Sequence, residues 1–381
     1  MIGRALEKLL VDHLQPNKVV VIYGPRQVGK TTLVTEYLKS TPYRYASYVG
    51  DNVRVQEILS SQRFSEILPF VEGIELLVLD EAQRIPEIGM ALKIIVDQVP
   101  GIRVIATGSA SFELAGQVGE PLTGRKYTLT LYPVSQLELL QTSRAFDLQE
   151  RLPEMLVFGG YPAVVSAKTN QEKRELLLEI AHAYLLKDVL EMEKVKGAKV
   201  LLDLLRMIAL QVGSQVSLTE LGSAVGLDYK TIARYLDLLE KAFVLFELRG
   251  FSRNLRNEIK NKSKYYFFDT GIRNAIINNF NDIPFRNDVG ALWENFCIVE
   301  RMKYQAYKQE YANNCFCACL IISPCTLGTI EAHTPFLVFF KAIHVGHDLP
   351  LSTLSGSYLP ASFLFSGFSS GTRRGTGTRF P

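Results

Sequence analysis

Two groups of residues have the types and spacing that phosphate chemistry requires. The first is the octet Gly24-Pro25-Arg26-Gln27-Val28-Gly29-Lys30-Thr31, which fits G-x-x-x-x-G-K-[ST]. Glycines at its two ends let the backbone curl around a phosphate without a Cβ in the way. The loop N–H groups then point inward, and the N-terminus of a following helix adds partial positive charge. Lys30 is placed to reach the β- and γ-phosphates as a point charge. Thr31 offers its hydroxyl to Mg²⁺, and Thr32 completes the nucleotide-binding run. The β-branched residues Val19, Val20, Val21 and Ile22 directly before the loop supply the strand that the motif needs.

The second group is Asp80-Glu81, which ends the apolar run IELLVLDEAQ. Side chains alternate along a strand, so the two carboxylates point differently at its C-terminal end, where ligands sit in open α/β sheets. Asp80 is placed to hold Mg²⁺, directly or through its water, and Glu81 to orient and deprotonate an attacking water. A further short strand, GIRVIATGSAS, ends in hydroxyls, of which Thr107 or Ser109 is a candidate to touch the γ-phosphate or the lytic water. Arg125, in LTGRKYTLTL, is a candidate trans-acting finger or sensor arginine. A finger in trans would need a second copy of the chain, so an oligomer is allowed for.

The succession GPRQVGKTTL, LLVLDEAQ, ATGSASF and LTGRKYTLTLYPVSQLEL resembles the AAA-type P-loop ATPases of bacteria and archaea, in which a nucleotide domain precedes a domain of unknown function. FGGYPAVV, at 158–165, is similar to that family's text after the nucleotide domain. The resemblance implies the additional-strand branch of P-loop enzymes, ATP rather than GTP as nucleotide, and Glu81 as catalytic base. Thr107 and Ser109 resemble its sensor position. The resemblance implies no partner or pathway.

The elements that position these residues are read from pattern. Leu6, Leu9, Leu10 and Leu14 have helical spacing and Pro16 ends the segment. Helices are expected over 31–38, 53–59, 172–195 and 201–210, and a strand over 43–49. In SLTELGSAVGLDYKTIARYLDLLEKAFVLFEL, Ser217 and Glu220 form a capping-box pattern, Gly226 breaks the helix and Asp228 caps the next. This is a helix-turn-helix cadence followed by a wing strand over 243–248. Lys230 and Arg234 lie near the start of the second helix. Arg249, Arg253, Arg256, Lys260, Lys262 and Lys264 continue a basic strip suited to a phosphate backbone. DNA contact is one expectation and docking of a protein partner the other, because Asp237 and Glu240 would repel phosphates. Asp269 is expected to cap a turn and Glu294 to make a helix-packing contact.

Bulk properties narrow the class. A formal net charge of +3 over 381 residues does not mark a nucleic-acid binder, so DNA contact must rest on a local patch. No signal peptide pattern and no long apolar span are present, so a cytoplasmic protein without a membrane role is expected. Composition changes after Asn314. From Cys315 onward the only charges are Glu331, Lys341, Asp348, Arg373, Arg374 and Arg379, and four of the five cysteines lie there. The family resemblance also stops at that point, and a frameshift or insertion near codon 315 accounts for both. Cys315, Cys317 and Cys319 alternate along a strand and lack the usual spacing of zinc pairs.

The expected architecture is α/β. It comprises a P-loop ATPase domain with a parallel sheet over 1–150, a helical and winged-helix domain over 151–264, an incomplete C-terminal domain over 265–314, and an anomalous tail over 315–381 that is disordered or out of frame. The expected function is binding of ATP with Mg²⁺ and its hydrolysis to ADP and phosphate. The alternative is a nucleotide-gated signalling or docking switch with little turnover.

Overall fold

Alternation along β1 (Lys18–Tyr23) divides the core into two layers. Val20 and Ile22 pack with Leu6 and Leu10 of α1 (Leu6–His13) and with Leu33, Val34 and Tyr37 of α2 (Lys30–Ser40). Val19 and Val21 face the other way, among residues of α3 (Val53–Ser60), α4 (Phe64–Phe70) and α5 (Ile88–Gln98). A strand covered on both faces reads as a continuous apolar run, which is why 19–22 carry no polar residue. The computed structural model describes residues 2–109, 121–185, 198–250 and 263–310, with two-residue strands at 315–316 and 321–322.

The sheet is parallel, in the order β2 (Tyr45–Val49), β3 (Leu76–Asp80), β4 (Arg103–Thr107), β1, β5 (Lys126–Thr130). β4 pairs with both β1 and β3, so an extra strand separates the loop-bearing strand from the one ending in Asp80. β5 pairs with the other edge of β1, Val19 opposite Lys126 and Tyr23 opposite Thr130. The expected α/β class with a parallel sheet is therefore present. α4 and α5 were not expected from the sequence. α4 is short and contains Pro69, whereas α5 has Ile88, Ala91, Leu92, Ile95 and Val96 at helical spacing, a stripe that pattern reading passed over.

Beyond β5 come α6 (Gln136–Leu139), α7 (Ala145–Glu150), α8 (Leu152–Phe158), α9 (Pro162–Ser166) and α10 (Asn170–Glu179). α10 passes into a π-helical segment, Ile180–Leu185. The rest of the helix expected over 172–195 lies outside the described residues. α11 (Ala198–Leu210), α12 (Leu218–Val225) and α13 (Tyr229–Lys241) precede β7 (Leu245–Leu248). That strand joins a small antiparallel sheet with β6 (Gln215–Val216) and a central β8 (Ser263–Phe267). Ser217 accepts from Glu220 N at 3.4 Å, Gly226 closes α12 at φ +74°, and Asp228 accepts from Lys230 N and Thr231 N.

α14 (Thr270–Ile276) and α15 (Val289–Lys308) complete this half. Asp269 caps α14 through Ile272 N at 3.1 Å, and also accepts from Gly160 N at 2.7 Å. Gly159 has φ +70°, and a Cβ there would lie 2.0 Å from Asp269 Oδ1. The glycine pair of FGGYP is thus a close approach of backbone to a buried carboxylate. Burial pushes the Asp269 carboxyl above its usual range, against the Gly160 N–H and Lys303. Glu294 makes a contact through which its helix packs, on β8. It accepts from Tyr266 Oη at 2.6 Å and Lys264 Nζ at 3.1 Å, both on β8. Among the described residues no helix is long and apolar enough to cross a membrane.

Candidate nucleotide-phosphate site

The loop between β1 and α2 is built by two glycines with different tasks. Gly24 has φ +149°, and a Cβ on it would sit 2.1 Å from the Leu131 carbonyl oxygen, just after β5. Gly29 has φ +94° and is the residue before α2, whose first turn is closed by Leu33 N donating to Gly29 O at 2.9 Å. Gln27 is also left-handed, at φ +60°. Lys30 is buried at 5% exposure, and its Nζ donates to Gly24 O at 2.9 Å and Pro25 O at 2.8 Å. The lysine therefore lies inside the curl of the loop. Thr31 and Thr32 are exposed at the start of α2.

Four elements bring side chains together beside this loop. Thr31 Oγ1 donates to Asp80 Oδ2 at 2.8 Å, joining α2 to the end of β3. Thr107, at the end of β4, donates from Oγ1 to Asp80 Oδ1 and accepts from Glu81 N at 3.3 Å. Glu81 has φ 52°, outside the strand geometry that Asp80 keeps. That turn separates the two carboxylates, as their adjacency at a strand end suggests. Gln83 Nε2 donates to Glu81 Oε2, and to Ser109 Oγ at 3.2 Å. Thr107 therefore contacts the Asp80 side and Ser109 the Glu81 side. Lys30, Thr31, Asp80, Glu81, Thr107 and Ser109 are all assembled at the C-terminal end of the sheet.

Arg125 is the exception. Its backbone carbonyl accepts from Val19 N, so it lies at the start of β5, the opposite end of the sheet from the loop. The four-residue step from Val19 to Tyr23 spans roughly 13 Å. Arg125 Nε donates to Asp97 Oδ1 at 2.6 Å, which engages the guanidinium in an ion pair with α5. That placement does not fit a sensor acting on the loop of the same chain, whereas a trans-acting finger would act on a second copy.

Pattern reading missed Gln83, Arg4 and Glu138. Gln83 Oε1 is buried without a partner among the described residues. Arg4 contacts the Val28 carbonyl of the loop, and Glu138 pairs with Arg4 at 2.9 Å. The one signal available was Ser135-x-x-Glu138, a capping box that the structure forms in full.

The donor set fits a hard divalent cation. Thr31 and Asp80 oxygens lie 2.8 Å apart beside the loop, and Mg²⁺ is commonly held by one or two carboxylates with the rest of its shell from water and phosphate. Among the described residues no group of three or more His, Cys, Asp or Glu could hold a metal on its own. Cys317, Cys319 and Cys325 lie outside the described residues.

The basic positions expected to contact DNA divide into two sets. Lys230 and Arg234 are exposed on α13, with the Arg234 guanidinium 5.6 Å from the Tyr235 ring centre. Arg249 pairs with Glu247 at 3.0 Å, and Lys264 with Glu294 at 3.1 Å. Arg253, Arg256, Lys260 and Lys262 lie outside the described residues. The strip is thus less uniformly positive than its sequence suggests.

Two segments of the chain match known families. Residues 16–140 match the family described as AAA domain, and residues 149–282 match a domain of unknown function (DUF8612). The chain is 28% identical over 287 residues to an uncharacterized protein of Mycobacterium tuberculosis, covering 74% of this chain and 62% of that one. It is 39% identical over 64 residues to an uncharacterized ATP-binding protein of Pyrococcus horikoshii, covering 16% of this chain and 20% of that one. A solved signal-transduction ATPase with a tetratricopeptide repeat sensor, also from Pyrococcus horikoshii, aligns at 14% identity and a TM-score of 0.29, over 78% of this chain and 45% of that one. The chain spans 62% of the length of its mycobacterial relatives, and its likeness to the two families is confined to residues 16–140 and 149–282.

Proposed function

We propose that the protein binds ATP at the loop of residues 24–32 and hydrolyses it to ADP and phosphate with Mg²⁺. The observation that carries the reading is the convergence of Lys30, Thr31, Asp80 and Thr107, from α2, β3 and β4, at one end of the parallel sheet. The AAA match over 16–140 and the ATP-binding relative support the choice of nucleotide. In this reading the loop N–H groups and Lys30 hold the β- and γ-phosphates. Thr31 and Asp80 hold the metal, which supplies charge neutralisation across the phosphates when bound. Glu81 orients and deprotonates the attacking water, with Gln83 fixing its carboxylate and Thr107 and Ser109 flanking it. The groups act by position and charge, with no covalent intermediate on the protein.

Residues 1–150 act in this reading as the ATPase domain of a cytoplasmic protein, 151–264 as a helical and winged-helix domain, and 265–314 as part of a further domain. The order α11, β6, α12, α13, β7, β8, with the three strands in one small antiparallel sheet, supports the winged-helix assignment. Lys230 and Arg234 at the exposed start of α13 support DNA contact. A second use of this domain, docking of a protein partner, is favoured by the ion pairs that engage Arg249 and Lys264.

Equilibrium titration with a fluorescent ATP analogue tests the first part. Wild type is expected to bind, and Lys30→Ala to weaken binding by about tenfold or more, since charge-assisted contacts are lost. Equal binding by both would overturn the assignment of the loop. For the second part, DNA retention is measured against salt. Lys230→Ala and Arg234→Ala are each expected to reduce the log–log slope by about one. No salt-dependent retention would favour protein docking.

A further inference from the structure

Arg4 lies just ahead of α1 and reaches the outer side of the phosphate loop. Its guanidinium serves three acceptors at once. Nη1 donates to Val28 O at 2.5 Å, Nη2 to Tyr132 O at 2.6 Å, and Nε to Glu138 Oε1 at 2.9 Å. The Arg4 side chain is 8% exposed and that of Glu138 is fully buried. Glu138 is itself fixed by Ala5 N at 3.0 Å and Ser135 N at 2.8 Å. The guanidinium is thus clamped to the segment after β5, and the phosphate loop hangs from it by one carbonyl.

That carbonyl has a consequence for the loop interior. Val28 C=O and Gly29 N–H belong to one planar trans peptide and point in opposite directions. Glycine at 29, at φ +94°, leaves this peptide easy to turn about its φ side. A carbonyl turned inward would present an acceptor to a phosphate, and the N–H would be lost as a donor. With the Val28 oxygen held by Arg4, the Gly29 N–H points away from the guanidinium. The planar fork suits the task, because an ammonium cannot meet three acceptors in this fixed arrangement.

We infer that Arg4 is a positioning residue for phosphate binding. It fixes the orientation of the 28–29 peptide through Val28 O and so keeps the loop's anion cradle formed. The inference rests on the phosphate-site reading above and deepens it, since it assigns the cradle's shape to a residue outside the motif. Arg4 also holds Tyr132 O, and the Tyr132 backbone N–H donates to Tyr307 Oη of α15 at 3.3 Å, so the same clamp ties the loop to α15.

The test uses the full chain and two ligands, ATP and inorganic tripolyphosphate, each with Mg²⁺. Affinities are measured for wild type, Arg4→Lys and Asp288→Asn, with the unliganded unfolding midpoint of each. Arg4→Lys keeps a positive charge beside Glu138 but loses the fork. It is expected to weaken both ligands by the same factor, about tenfold or more, because one aimed N–H to phosphate is worth that much when charge-assisted. Asp288→Asn weakens an ion-pair network between α14 and α15. It is expected to lower the midpoint and leave both affinities within about twofold. Unchanged affinities in Arg4→Lys would overturn the inference, as would a loss for ATP alone, or equal losses in the two variants at equal loss of midpoint. If wild type binds neither ATP nor tripolyphosphate, the phosphate-site reading falls and the inference with it.

Discussion

Thr31 Oγ1 and Asp80 Oδ2 lie 2.8 Å apart although 49 residues separate them in sequence. The contact exists because β4 is inserted between β1 and β3, which sets the end of β3 opposite the first turn of α2. If this oxygen pair holds the metal, Asp80→Asn keeps an acceptor for Thr31 and removes the charge. Nucleotide affinity measured with and without a chelator checks this. Wild type should lose about tenfold on metal removal, and Asp80→Asn should show little metal dependence.

Gln83 links Glu81 to Ser109 and leaves its own Oε1 buried and unpartnered among the described residues. Replacement by Leu keeps the bulk and removes both contacts. Turnover is expected to fall about tenfold, because an unoriented base loses part of its general-base contribution. Nucleotide affinity should stay within about twofold. Steady-state kinetics beside an equilibrium titration separates the two effects.

Gly159→Ala tests the meeting of the FGGYP segment with Asp269. The new Cβ would lie 2.0 Å from Asp269 Oδ1, at a residue with φ +70°. Strain and the displaced carboxylate together should cost about 2–4 kcal/mol of stability. Denaturant unfolding of the full chain measures it.

Asp288 sets part of the acid stability. Burial pushes its carboxyl up, but hydrogen bonds from Arg286 and Arg273 hold it below the usual aspartate range. A carboxylate with a lowered folded pKa contributes stability above its unfolded pKa of about 3.9 and loses it as pH falls through the folded value. The two arginine side chains are 0% and 2% exposed, so protonation strands buried cations. Asp288→Asn should therefore cost about 2 kcal/mol at neutral pH, discounted for the partial exposure of the aspartate, and less below about pH 3.9. Asp269 works in the opposite direction, because burial raises its carboxyl and acid favours its folded form. Unfolding of each variant against pH distinguishes them.

The phosphate loop and the Asp80 strand were legible because their physics is local. Glycines with positive φ, a β-branched run and a lysine at fixed offset all lie within fifteen residues. Asp228, Gly226 and the Ser217 hydroxyl were legible as helix ends for the same reason. The end of the sheet on which Arg125 lies was not legible, because it depends on strand direction and register, set by pairing with β1 across more than a hundred residues. Arg4 and Glu138 were missed because their partners lie 134 residues apart in sequence and no periodicity connects them. Arg249 and Lys264 looked like free cations until β7 and α15 supplied Glu247 and Glu294.

The most direct test of the account is steady-state ATP turnover by wild type and Glu81→Gln, with nucleotide affinity measured on the same preparations. Turnover in wild type, lost by at least about a hundredfold in Glu81→Gln with affinity retained, is the expected result. Equal turnover in both would contradict the role given to Glu81. Tight ATP binding with no turnover in either would contradict hydrolysis and favour a nucleotide-gated switch.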